Sequence, residues 1–270
     1  MARSVILGNG RLTIGLNQRG LVHEFYYPYV GLDNLTNARS THHKIGAWID
    51  GTFSWMADEE WQHSVTLSDE TMEAAVEFRH KSEPIVIRSD DFVDYDDDIL
   101  CRRITIHNTG DKSSEVRVFM HQVFQISRAG RADTAMYVPD DEYILDYKGN
   151  SNLLIGARDQ NGKAFDQYAV GNYGVEGKAG TFLDAEDGEL SGNNVEHAGV
   201  DSVIRFSSVI EPKQSYCFDY WIIASESPYT ANILHEGLRE NGLQERQSNT
   251  RLYWQNWLSV SKAGLANIAP

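Results

Sequence analysis

Apolar and polar residues alternate along this chain in short runs. In Glu73-Ala74-Ala75-Val76-Glu77-Phe78-Arg79, the side chains of Ala74, Val76 and Phe78 fall on one side and those of Glu73, Glu77 and Arg79 on the other. A period of two is the mark of a half-buried strand. The run Glu115-Val116-Arg117-Val118-Phe119-Met120-His121-Gln122-Val123-Phe124 starts by alternating and then turns apolar on both faces. A strand reads this way when it passes from an edge into the middle of two stacked sheets. Residues 202–209 and 216–224 repeat the behaviour. Turn signals separate the runs: Gly8-Asn9-Gly10, Asn17-Gln18-Arg19-Gly20, Asp50-Gly51, Asn108-Thr109-Gly110-Asp111 and Lys148-Gly149-Asn150. Asn-Gly and Asp-Gly favour turns whose twist matches that of paired strands, so antiparallel hairpins are expected. No helical period competes before residue 227, and no strand–helix alternation calls for a parallel sheet. The pattern predicts an all-β fold, a large antiparallel β super-sandwich about twice the size of an immunoglobulin-type domain.

A short helical segment closes the chain. Ser227-Pro228 provides a capping hydroxyl followed by proline at the first helical position. Ile233, Leu234 and Leu238 then share a face, and Asn241-Gly242 interrupts. A second helix is expected over 243–260, with Thr250, Trp254, Trp257 and Leu258 on one side. Two tryptophans on such a helix call for a covering surface, either the sandwich or a further domain. The expected organisation is a sandwich over 1–226, linker helices over 227–262, and over 263–270 the start of a linker to another domain.

Composition narrows the partners. The 270 residues carry a net charge of −15, with 41% hydrophobic and 11% aromatic content. That excludes a disordered chain, and it argues against nucleic acid or an anionic membrane, which need clustered positive charge. Neutral ligands such as sugars stay open. No apolar run approaches a membrane span, and the opening residues break at a turn before a signal-peptide core forms, so a cytoplasmic location is expected. Cys101 and Cys217 do not make a disulfide framework and read as buried free thiols.

Residue by residue, the chain shows no catalytic signature. Six aspartates crowd residues 90–98. Twelve positions counted from Asp94 end on Thr105, where a calcium loop needs a bidentate glutamate, so a solvated turn is expected. The glycine-rich stretch 171–180 leads into acidic residues and not into a helix, so it reads as a long flexible loop and not a phosphate cradle. His42 and His43 are adjacent and would point to opposite faces of a strand, which does not favour a shared metal. No catalytic residue, metal ligand or cofactor is therefore expected. One segment stands apart: His23-Glu24-Phe25-Tyr26-Tyr27-Pro28-Tyr29-Val30-Gly31-Leu32-Asp33-Asn34, continuing to His43. Aromatic rings beside polar edges suit sugars, whose C–H faces stack while their hydroxyls hydrogen-bond. Tyr27, Tyr29, Asn34 and His42 are the candidate carbohydrate contacts, although the tyrosines would equally plug one end of the sandwich.

Several blocks resemble one family in order. Leu7-Gly8-Asn9-Gly10, Phe25-Tyr26-Tyr27-Pro28-Tyr29-Val30-Gly31, and Lys44-Ile45-Gly46-Ala47-Trp48-Ile49-Asp50-Gly51 are followed by Arg102-Arg103-Ile104, Phe119-Met120-His121-Gln122, Asp133-Thr134-Ala135-Met136-Tyr137 and Arg251-Leu252-Tyr253-Trp254. Together they resemble the N-terminal domain of prokaryotic glucoamylase-type enzymes, glycoside hydrolase family fifteen. The resemblance implies a galactose-mutarotase-like super-sandwich, linker helices, and then an α/α-barrel of the same polypeptide. In that family the barrel holds two glutamates that hydrolyse α-glucans, oligosaccharides or trehalose with inversion. No catalytic residue can be assigned within these 270 residues, and the chain alone is expected to be inactive. The alternative is a free-standing sugar-binding or aldose-epimerase-like sandwich, which would need a histidine acid and a glutamate base in one cleft; His121 and Glu24 are of the right types.

Overall fold

Four of the five turn signals close antiparallel pairs. The computed structural model describes residues 4–36, 42–126 and 132–266, with backbone alone from 261. Strands are numbered in chain order. β1 (Val5–Gly8), β2 (Thr13–Leu16) and β3 (Val22–Tyr26) form a three-stranded meander. A five-stranded sheet runs β14 (Gln167–Asn172), β16 (Val200–Ile210), β10 (Ser114–Phe124), β4 (Ile45–Ile49), β5 (Thr52–Trp55). A nine-stranded sheet runs β15 (Val195–Ala198), β11 (Asp133–Val138), β12 (Tyr143–Lys148), β13 (Ser151–Asp159), β17 (Ser215–Ser225), β9 (Ile99–Asn108), β8 (Ile85–Val93), β7 (Glu73–His80), β6 (Trp61–Leu67). Asp50 and Gly51 both take positive φ, 45° and 102°, which gives the tight β4–β5 connection. The exception is Asn108-Thr109-Gly110-Asp111, which carries the chain from one sheet to the other. The Asn108 amide holds that corner by donating to the carbonyls of Lys112 (2.7 Å) and Ile210 (2.9 Å).

The expected super-sandwich is the fold found. Its core lies between the two large sheets, where Val116, Val118 and Met120 of β10 and Ile204 and Phe206 of β16 meet Ile104, Ile155, Phe218 and Ile222 of the facing sheet. Phe206 stacks on Phe218 across the gap, with ring centroids 4.3 Å apart. A buried ion pair, Arg102 to Asp91 at 2.9 and 2.7 Å, also reaches the Gly20 carbonyl and so ties the meander to the nine-stranded sheet.

Both outer faces are covered. Phe119 and Trp221, the large residues of the two most apolar strands, are fully buried, yet each points away from the central core. Phe119 lies under a strap formed by residues 173–194, with a 3-10 turn at Thr181–Asp187. Beyond the glycine-rich stretch the strap packs on the sheet, where Phe182, Ala185 and Leu190 fill an aromatic floor of Trp48, Phe53, Trp55 and Phe119.

Trp221 lies under α1 (Pro228–Asn241), which starts as expected with the Ser227 hydroxyl accepting from the Tyr229 amide at 3.2 Å. Gly156 permits this close packing: a β-carbon there would sit 2.4 Å from Trp221 Nε1 and 2.7 Å from His235 Nδ1. α2 (Gln244–Ala266) runs past Val260 because Lys262, Ala263, Leu265 and Ala266 all favour helix. Of the predicted linker tail, only 267–270 lie outside the described residues. Thr250 is buried, whereas Trp254 is half-buried and Trp257 is 55% exposed. Cys101 is a buried thiol; Cys217 is only half-buried, since it faces outward beyond the end of α1. No helix among the described residues is long and apolar enough to cross a membrane.

Candidate functional site

The aromatic segment leaves β3 and splits into an anchored base and an exposed tip. Tyr27 is half-buried against the core. Burial raises the pKa of its hydroxyl, and the carboxylates of Asp98 and Glu226 add to the effect against Arg11. Beyond it, Tyr29 is 55% exposed, Val30 64% and Leu32 42%, an apolar tip in water. Asn34 is turned inward. Its Oδ1 accepts from the amides of Phe25 (2.9 Å) and Thr36 (3.0 Å), and its Nδ2 donates to the His23 carbonyl at 3.2 Å. These bonds brace the loop and commit both ends of the amide. His42 is half-buried. His43 is buried, with its ring edge-on to Phe124 at 4.9 Å and its Nε2 3.2 Å from the Val123 carbonyl. Burial holds it well below the usual histidine range, so it is a neutral core residue. Of the four candidates, Tyr29 presents a ring to solvent, Tyr27 supports the loop from beneath, and Asn34 shapes it. Residues 37–41, between Thr36 and His42, lie outside the described residues.

The aspartate cluster next to this base is a junction and not the solvated turn expected. Asp94 Oδ1 accepts from the amides of Asp96 and Asp97, both at 2.9 Å, while its Oδ2 receives Arg246 of α2 at 3.0 Å. Arg246 also reaches Asp97 at 2.7 Å. From the other side, the Asn9 amide donates to the carbonyls of Asp94 and Asp97, and Arg11 pairs with Asp98 at 3.1 Å. One turn thereby joins the β1–β2 hairpin, the nine-stranded sheet and the terminal helix. Composition hid this, because the partners lie more than 80 residues away on either side. Among the described residues, no group of three or more metal-binding side chains comes together.

His121 is buried and engaged by a carboxylate. His121 Nε2 donates to Asp201 Oδ2 at 3.1 Å on the outer face of the five-stranded sheet. Asp201 in turn accepts the amide and hydroxyl of Thr181, so both groups are sealed under the strap. Glu24 belongs to the meander, in β3 opposite Gly15 of β2.

The relatives are now informative. No family model matches the chain. It is 25% identical over 259 residues to an uncharacterized glycosyl hydrolase of Methanocaldococcus jannaschii, a match covering 93% of this chain and 39% of that protein. A bacterial glucoamylase solved with acarbose superposes with a TM-score of 0.73 at 11% identity, over 95% of this chain and 37% of its own. A protein of the human microbiome assigned as a kojibiose phosphorylase gives 0.58 at 10% identity, over 92% and 35%. The chain thus spans about two-fifths of the glycosyl hydrolase it matches, and with the two solved enzymes it shares the fold.

Proposed function

We propose that this chain is the N-terminal, non-catalytic sandwich domain of an α-glucoside hydrolase of the glucoamylase type. Its role is to support an α/α-barrel of the same polypeptide and to edge the barrel's carbohydrate entrance with the loop over residues 27–43. The observation that carries this is the asymmetry of coverage: nearly all of this chain aligns, and with little more than a third of two much longer carbohydrate-active proteins. Exposed apolar groups support it. Tyr253 and Trp257 of α2 and the tip at Tyr29, Val30 and Leu32 stand in water where a neighbouring domain and a sugar would cover them. On this view 1–226 is the sandwich, 227–262 are linker helices, and 263–270 begin the passage to the barrel. The rival reading, a sandwich acting alone by epimerase-like chemistry, needs an accessible histidine acid, and His121 is sealed against Asp201.

The test is kinetic. In the full-length protein, Tyr29→Ala should lower kcat/KM for longer oligosaccharides more than for disaccharides, because an entrance residue meets only the distal units. Equal losses on both, or none, would remove the loop from the substrate path. Hydrolysis of maltose that tracks the concentration of the isolated chain would overturn its non-catalytic assignment.

A further inference from the structure

The outer face of the nine-stranded sheet changes character where α1 ends. Under the helix it is apolar, with Leu154, Trp221 and Ile223 packed against Ala231 and Leu238. Past the helix the same face carries Arg103 on β9, Cys217 and Asp219 on β17, and Arg158 on β13. They contribute to a cavity of about 460 Å³ between the sheet, the turn at Asp159–Gly162 and the α1–α2 junction. Ligand sites occupy roughly 300–1,000 Å³, so the space suits a small molecule.

Its chemistry points to a class. Each of the three guanidinium groups in the lining has a carboxylate partner: Arg103 pairs with Asp219, Arg158 with Glu142 and Arg239 with Asp141, the last two acids standing just outside the lining. Arg103 and Asp219 are fixed as a planar bidentate pair at 2.8 and 3.0 Å. Asp219 also accepts the Leu243 amide at 3.3 Å, which locks the pair to the start of α2. At the mouth, Gln160 Oε1 accepts from the Cys217 amide and thiol and Asn241 Nδ2 donates to the Gly237 carbonyl, which leaves the Gln160 amino group, the Asn241 carbonyl oxygen and the exposed Gln244 amide for a ligand. With every guanidinium paired the lining gives little attraction to an anion, and so polar a lining gives little to an apolar ligand. Hydroxyl groups, each of which both donates and accepts, match it.

We infer that this cavity is a second carbohydrate-binding site, which takes one or two units of a neutral sugar at the α1–α2 junction. The choice of an α-glucoside as probe rests on the hydrolase reading; the site itself does not.

Cys217 provides the readout, since its half-buried thiol lines the cavity while Cys101 is fully buried. Maltose should slow alkylation of Cys217 by N-ethylmaleimide, with an apparent dissociation constant in about the millimolar range. It should also shift the backbone amide resonances of Gln160, Asn241 and Gln244. In the double variant Gln160→Ala/Gln244→Ala, both changes falling on exposed side chains, the apparent constant should rise about tenfold. The inference is overturned by any of three results. Neither protection nor resonance shifts are seen; sorbitol or inorganic phosphate protects as well as maltose; or the double variant binds unchanged. Each of these leaves the Tyr29 kinetics untouched, so failure here is separable from failure of the hydrolase reading.

Discussion

The indole Nε1 of Trp221 donates a hydrogen bond to Nδ1 of His235 at 3.2 Å, deep between α1 and the nine-stranded sheet. The opposite ring nitrogen, Nε2, lies 2.9 Å from the Asp141 carbonyl. Both contacts are satisfied only by the neutral imidazole with its proton on Nε2. Burial disfavours the imidazolium, and Arg158 and Arg239 add to the effect against the Asp141 carbonyl, so the pKa of His235 falls from 6.5 to about 4; protonating Nδ1 would also set two N–H groups against each other.

Stability should therefore fall on acidification within a defined window. Above pH 6.5 both folded and unfolded states hold a neutral His235. Between 6.5 and about 4 the unfolded state takes up a proton that the native state resists, and below about 4 both are charged. The loss across the window is about 3 kcal/mol. Urea melts of wild type and His235→Asn, whose side-chain oxygen keeps an acceptor for Trp221, should converge as the pH drops from 7 to 4.5. Parallel curves would show that His235 titrates normally in the native state.

Gly156→Ala should destabilise by about 1–3 kcal/mol although it adds only a methyl group. The new carbon would meet Trp221 Nε1 and His235 Nδ1 at 2.4 and 2.7 Å, both on large, packed side chains. Tryptophan fluorescence and denaturant melts measure the cost. A change within about 0.5 kcal/mol would mean that α1 sits farther from the sheet.

Two aspartates from one turn should behave oppositely. Asp94→Ala removes a buried carboxylate that accepts two amides and an arginine, and should cost about 3–5 kcal/mol. Asp96→Ala removes an exposed side chain and should stay within about 0.5 kcal/mol. Equal effects in urea melts would contradict the junction.

The local pattern along the chain was enough to mark many of its elements. Alternation in β7, the paired positive-φ turn at Asp50-Gly51 and the Ser227-Pro228 helix start depend on neighbours within a few residues, so the sequence states them directly. Among the candidate contacts, the tyrosine-rich loop was legible for the same reason, as a polar–aromatic stretch between two strands. What only the tertiary structure decided is which way each apolar strand faces and which distant groups meet. Phe119 and Trp221 sit in strands apolar on both sides, so periodicity cannot say that one lies under the strap and the other under α1. Asn34 looks like a sugar contact until the amides of Phe25 and Thr36 claim its oxygen. The aspartates of 90–98 look solvated until Asn9, Arg11 and Arg246 arrive from opposite ends of the chain. Side-chain period and turn chemistry act over a few residues, whereas strand pairing and charge neutralisation are settled by whichever segments the folded topology brings within hydrogen-bond reach.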